Sequence, residues 1–132
     1  MSNVKRVLIV DDDEGVVLFV EAIMQDLGWQ CLDAMNGEQA LLLAETEYPD
    51  LVILDIHMPV MDGIEVFKRL RDNPLTASIP IIMLTAANEG TSGTPIDAGQ
   101  MESTFGFTRP EGFVDKPVDG DFLRKCIMGV VG

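Results

Sequence analysis

Short apolar runs alternate along this chain with longer stretches whose apolar residues recur every three or four positions. A run of four to six apolar residues is typical of a buried strand, and the longer spacing is typical of one face of a helix. Five runs predict strands, at residues 7–10, 30–35, 51–55, 80–85 and 113–114. Strands that alternate with helices in this way predict an α/β fold, a doubly wound parallel sheet with helices on both faces.

The helical stretches carry their own boundary signals and buried faces. The first places Val16, Val20, Ile23 and Leu27 on one stripe, widened by Val17 and Met24, and Gly28 is suited to ending it. The buried positions predicted for the later helices are Ala40, Leu41 and Ala44 after the turn at Asn36 and Gly37; Ile64, Phe67 and Leu70 between Asp62 and Asn73; and Phe122, Leu123, Cys126, Ile127 and Val130.

Residues 86–112 break the alternation. A helix should follow the fourth strand, but this segment contains glycines and prolines and shows no sustained helical stripe. At most one short helical turn is predicted, around residues 97–103. We therefore expect this helix to be short, displaced or replaced by an irregular loop, within a single domain that covers residues 1–132.

The length and the net charge of the chain limit the classes of function that it can have. The chain has 132 residues, enough for one domain, and a formal net charge of −13. Such a surface repels DNA and RNA, so we expect no direct nucleic-acid binding and favour a divalent cation or a basic partner. No apolar run approaches the ~20 residues of a membrane span, so no membrane contact and a cytoplasmic location are expected. Cys31 and Cys126 are interpreted as small buried hydrophobic residues.

Polar residues follow the predicted strands at one edge of the sheet. Asp55 ends a fully apolar strand, Thr85 ends the fourth strand, and Lys116 follows the fifth; three aspartates, Asp11, Asp12 and Asp13, follow the first. Ligands bind beyond the carboxyl ends of strands in parallel sheets. Converging carboxylates form a site for a hard cation such as Mg²⁺. Asp55 can accept a phosphoryl group as a nucleophile, while the metal, Lys116 and Thr85 stabilise the charge.

Four segments together resemble the response-regulator receiver domains of two-component signalling, namely residues 7–12, 54–63, 83–86 and 115–117. The resemblance implies a flavodoxin-like five-stranded sheet of order 2-1-3-4-5. It also implies a domain that takes a phosphoryl group from a sensor histidine kinase or a histidine phosphotransfer protein. Such a domain catalyses its own phosphorylation and slower hydrolysis, as a signalling switch rather than an enzyme that turns over substrate.

The resemblance also implies residue roles by position. Asp55 resembles the phosphoacceptor and a metal ligand, Asp12 the direct Mg²⁺ ligand, and Asp11 the partner that holds a metal-bound water. The remaining implied roles are a metal-binding backbone carbonyl at His57, a switch hydroxyl at Thr85, a phosphate-binding amine at Lys116, an aromatic switch at Phe113, a small residue at Ala86 and a cis peptide before Pro117.

The chain departs from the family pattern between Thr85 and Lys116, which are farther apart than in typical receivers. This region normally forms the output and dimerisation surface, so output partner and homodimer formation transfer least well from the resemblance. The sequence leaves open whether the domain stands alone or belongs to a longer protein.

Several simpler readings remain open. Asp13 and Asp62 are interpreted as helix caps. The side chain of His57 could bind metal or modulate the attack of water on an aspartyl phosphate.

Two alternative functions are a phosphorylation-independent interaction module, suggested by residues 86–112, and an aspartyl-nucleophile phosphatase. The phosphatase is disfavoured because such enzymes place a second acid two residues beyond the nucleophile, where this chain has His57.

Overall fold

The computed structural model describes residues 4–85 and 110–131. Five strands and four helices occur in these ranges. They are β1 (Arg6–Val10), α1 (Glu14–Asp26), β2 (Gln30–Ala34), α2 (Gly37–Glu47), β3 (Leu51–Asp55), α3 (Gly63–Asp72), β4 (Ile81–Thr85), β5 (Gly112–Asp115) and α4 (Gly120–Val131). The prediction for the helix after β4 falls on residues 86–109, outside the described residues.

The five strands form one parallel sheet in the order β2-β1-β3-β4-β5, which confirms the predicted fold class. Every residue of β3 is buried, because this central strand is covered on both faces. Val52 and Leu54 pack into a cluster with α2 and α3, while Leu51 and Ile53 pack into a second cluster with α1 and α4. Residues 51–54 are all apolar because helices pack against both faces of β3.

The helix caps follow the predictions. The Asp13 carboxylate accepts hydrogen bonds from the backbone N–H groups of Gly15 and Val16 at the start of α1. Asp62 accepts one from Glu65 N at 2.9 Å at the start of α3. Gly28 follows α1 with φ +88°, a left-handed conformation that glycine adopts without strain.

Three details of the predicted buried faces need correction. Phe122 is 52% exposed rather than part of the buried face of α4, which is centred on Leu123 and Ile127. Ile64 is only partly buried, and Val66 takes the fully buried position in α3. In α1 the stripe is rotated, so that Val17 and Met24 are buried and Val16 and Leu27 are partly exposed. The burial of residues at the margin of an amphipathic stripe depends on which neighbouring element the helix contacts. Periodicity alone does not specify that contact.

Within the described residues, no helix is both long and apolar enough to span a membrane.

Candidate functional site

The sheet order places four strand ends side by side at one edge. β3 lies between β1 and β4, and β5 lies beyond β4. Parallel pairing aligns Val10 with Leu54, Asp55 with Leu84, and Thr85 with Asp115. The residues that end or follow these strands are therefore neighbours in space, although the chain separates them widely. This is the edge where parallel sheets bind their ligands.

Three carboxylates meet at this edge. Asp11, Asp12 and Asp55 each offer an oxygen, and these oxygens all lie within 4.8 Å of one another. Asp11 and Asp55 are buried, with Asp55 only 1% exposed, while Asp12 is exposed. Asp11 Oδ1 accepts a hydrogen bond from Asp13 N at 2.9 Å, which orients the buried carboxylate.

Lys116 joins the two buried carboxylates. Its ammonium Nζ lies 3.0 Å from Asp11 Oδ2 and 3.1 Å from Asp55 Oδ1. The Lys116 backbone N–H donates to the Thr85 carbonyl at 2.6 Å, which fixes the end of β5 beside β4. The Lys116–Pro117 peptide is cis, as the family resemblance implied. Burial alone would lower the pKa of Lys116, but the contacts with Asp11 and Asp55 outweigh it and raise that pKa.

The electrostatics of Asp55 are unfavourable for its charged form. Burial raises the pKa of Asp55 to about 6, with a further contribution from the neighbouring charge of Asp11. The Lys116 ammonium and the His57 backbone N–H, 3.3 Å from Asp55 Oδ1, lower the pKa of Asp55 only in part. A single ammonium does not neutralise three carboxylates.

The cluster fits a hard divalent cation. Three carboxylates against one ammonium leave two negative charges, which one divalent ion would balance. Within the described part of the chain, the buried Asp11 Oδ2 accepts no hydrogen bond of good geometry, although Lys116 Nζ is close to it. Buried polar atoms normally have such a partner. Carboxylate oxygens are also the ligands that Mg²⁺ prefers.

Thr85 and His57 contact residues of the site through backbone groups: the Thr85 carbonyl accepts from Lys116 N, and the His57 N–H points to Asp55 Oδ1. Thr85 Oγ1 donates to Asp115 Oδ1 at 2.6 Å. The His57 residue is exposed, and its backbone rather than its ring contacts Asp55. Phe113 is partly buried against the core cluster shared with α2 and α3. Ala86 is outside the described residues, so its predicted role stays a prediction.

Gly63 and Asp115 contribute to the site although no individual role was predicted for either residue. A Cβ on Gly63 would overlap the Asp55 carbonyl oxygen, and Gly63 N donates to the Ile56 carbonyl at 2.8 Å. Only glycine therefore lets α3 begin this close to the end of β3. Asp115 immediately precedes Lys116, and this position was the one signal that could have suggested it.

A five-stranded parallel sheet in this order defines the flavodoxin-like class of doubly wound folds, which bind ligands at the carboxyl ends of their strands. The family model "Response regulator receiver domain" matches residues 7–127. The chain belongs to this family, whose members accept phosphoryl groups in two-component signalling. It is a receiver domain with a signalling role.

Curated relatives support this assignment. The chain is 46% identical over 85 residues to the alkaline phosphatase synthesis transcriptional regulatory protein PhoP of Bacillus subtilis (strain 168), covering 64% of this chain and 35% of PhoP. It is 40% identical over 85 residues to the sporulation initiation phosphotransferase F of the same strain, covering 64% of this chain and 67% of that protein. The chain thus spans about a third of the length of PhoP.

Solved structures agree on the fold. The chemotaxis protein CheY4 of Vibrio cholerae superimposes with a TM-score of 0.79 at 30% identity, covering 97% of this chain and 99% of CheY4. The receiver domain of the sensor histidine kinase PA1611 from Pseudomonas aeruginosa PAO1 gives a TM-score of 0.80 at 22% identity, covering 98% of each chain. The latter structure has a magnesium ion coordinated in its active site cleft. At this identity the likeness concerns the fold alone.

Proposed function

We propose that Asp55 accepts a phosphoryl group from the phosphohistidine of a sensor histidine kinase or a histidine phosphotransfer protein. The observation that carries this proposal is a buried carboxylate at the carboxyl end of the central strand, 3.1 Å from the Lys116 ammonium and clustered with Asp11 and Asp12. A buried, electrostatically strained carboxylate at a sheet edge is a candidate functional group on physical grounds.

Asp11, Asp12 and Asp55 would hold a Mg²⁺ ion, and the backbone carbonyl of His57 is the further ligand that the family resemblance implies. When bound, Mg²⁺ would offset the charge that develops on the transferred phosphoryl oxygens. The oxygen ligands of the cluster and its excess negative charge support the assignment of Mg²⁺ to this site.

Asp55, Lys116 and Thr85 have different roles in the transfer of the phosphoryl group. An Asp55 carboxylate oxygen attacks phosphorus, the phosphorus–nitrogen bond of phosphohistidine breaks, and the imidazole nitrogen keeps the electron pair. Lys116 then pairs with a phosphoryl oxygen in place of part of its contact with Asp55. Thr85 donates a hydrogen bond to another phosphoryl oxygen. Hydrolysis of the aspartyl phosphate by water restores the carboxylate, so the domain catalyses both its own phosphorylation and its own dephosphorylation.

The proposed unit is a single receiver domain over residues 1–132 that works in the cytoplasm. Its two cysteines, Cys31 and Cys126, are both free thiols, as is usual in a reducing compartment. Burial, followed by the charges of Glu21 and Asp33, raises the pKa of Cys31 to about 11, and burial raises that of Cys126. Neither thiol is therefore activated for chemistry.

Phosphorylation by acetyl phosphate and MgCl₂, followed by intact-protein mass spectrometry, tests the proposal. The wild type should gain one phosphate, and Asp55→Asn should gain none. Within the acidic triplet, Asp12→Asn should lose the Mg²⁺-dependent reaction, whereas Asp13→Asn should retain it, because asparagine caps a helix as well as aspartate. A wild type that stays unmodified, or an adduct that survives Asp55→Asn, would refute the proposal.

A further inference from the structure

The hydroxyl of Thr85 is already engaged in this structure, and its partner is not part of the acidic cluster. Thr85 Oγ1 donates to the Asp115 carboxylate at 2.6 Å, across the pairing of Thr85 with Asp115 between β4 and β5. In the sheet order, β3 with Asp55 lies on one side of β4 and β5 with Asp115 lies on the other. The hydroxyl is thus directed toward the strand opposite the one that carries Asp55.

A threonine hydroxyl has one proton to donate. While Asp115 accepts it, Thr85 has no proton to donate to a phosphoryl oxygen on Asp55. We propose that Asp115 is a positioning residue that holds the Thr85 hydroxyl on the β5 side of the sheet until a phosphoryl group arrives. This proposal rests on the proposed function, because it concerns the same phosphorylation reaction.

Competition for one proton has a specific kinetic consequence. The Thr85–Asp115 bond exists before phosphorylation and must break as the hydroxyl turns to the phosphoryl oxygens. Removing the Asp115 acceptor therefore raises the free energy of the starting state but leaves the transition state and the phosphorylated state unchanged. Phosphorylation should become faster, and hydrolysis of the aspartyl phosphate should keep its rate.

The size of the effect follows from the strength of the bond. Net contributions of hydrogen bonds correspond to about a 2- to 10-fold change in an equilibrium or a rate. Asp115 is exposed, so solvent competes for both partners and the carboxylate charge adds little. We expect Asp115→Ala to accelerate phosphorylation about 2- to 10-fold.

Loss of a negative charge beside Lys116 could also speed the approach of an anionic phosphodonor. A double-mutant cycle with Thr85→Val separates the two causes. Valine has no hydroxyl, so Asp115→Ala should have no effect in the Thr85→Val background if Asp115 acts through Thr85. An electrostatic effect of Asp115 on the donor would persist in that background. Asp115→Asn keeps an acceptor oxygen and should fall between the wild type and Asp115→Ala.

The experiment measures two rate constants by intact-protein mass spectrometry: phosphorylation by acetyl phosphate with MgCl₂, and loss of phosphate after the donor is removed. The four proteins of the cycle are compared, with melting temperatures to check that each is folded. In the unphosphorylated state, the NMR shift of the Thr85 methyl group should change in Asp115→Ala, which reports on the bond independently of phosphorylation.

The outcomes are distinct. Faster phosphorylation with unchanged hydrolysis in Asp115→Ala, absent in the Thr85→Val background, supports the positioning role. An unchanged phosphorylation rate in a wild type that does accept phosphate, or an acceleration that persists without the hydroxyl, overturns the positioning role alone. A wild type that accepts no phosphate overturns the proposed function, and the positioning role with it.

Discussion

Replacing Asp55 with asparagine should stabilise the metal-free protein at neutral pH. Burial raises the pKa of Asp55 in the folded protein to about 6, from an ordinary value of 3.8 for an aspartate. The folded state therefore binds the proton more tightly than the unfolded state, and between these values unfolding releases protons. Stability attributable to Asp55 is accordingly full at low pH and is lost as pH rises through the folded pKa.

The expected magnitude follows from the same shift. A difference of about two pKa units corresponds to about 3 kcal/mol of lost stability above pH 6. Asparagine does not ionise, so it removes this pH-dependent cost, and part of the cost is already lost at pH 4 because the unfolded carboxyl is then half ionised. We therefore expect the stability advantage of Asp55→Asn over the wild type to grow by about 2 kcal/mol between pH 4 and pH 7.

Urea unfolding measures this advantage directly. Trp29, the one tryptophan, lies partly buried against the core cluster of α1 and α4, so its fluorescence should report unfolding. Both proteins are compared across this pH range in EDTA, with Asp72→Asn, an exposed aspartate in α3, as the control. An advantage that is flat with pH, or that shrinks as pH rises, would refute the electrostatic reasoning for Asp55.

Three further predictions concern the same region. In calorimetry, Mg²⁺ should raise the melting temperature of the wild type much more than that of Asp55→Asn. A ligand at 100 times its Kd stabilises the folded state by about 2.7 kcal/mol. Equal rises in the two proteins would contradict a metal site at Asp55. Gly63→Ala should cost about 3 kcal/mol in urea unfolding, because its Cβ meets the backbone of Asp55; a near-neutral result would mean that α3 shifts freely. Phe67→Ala, at a fully buried position, should cost about 3–5 kcal/mol in the same assay, and a loss below 1 kcal/mol would contradict its place in the core.

The sequence was sufficient to predict that the Asp11 and Asp55 carboxylates and the Lys116 ammonium would lie together. Asp11, Asp55, Thr85 and Lys116 each end or follow a strand, and parallel strands bring their carboxyl ends to one edge. The strand pattern and the rules of α/β topology suffice for this placement, which does not depend on the conformation of individual side chains.

The contacts that depend on register and close approach could not be predicted in this way. The pairing of Thr85 with Asp115 joins residues that are 30 positions apart along the chain, and no local pattern specifies which residue of β5 faces Thr85. The need for glycine at position 63 arises only from the path of the chain past Asp55. The exposure of Phe122 depends on which face of α4 packs toward α1, as the closeness of Ile23 to Gly120 shows.

The position of β5 at the end of the strand order has a mechanical consequence. β3 and β1 are paired on both sides and buried, whereas β5 pairs with β4 alone among the described strands and is only partly buried. Local unfolding of such peripheral elements requires less free energy than unfolding of the centre of a fold. Asp55 thus ends a fully buried central strand, whereas Asp115 ends an edge strand and Lys116 directly follows it. We therefore expect a change at Asp55 to displace β5 more readily than β3 or the core clusters packed against it.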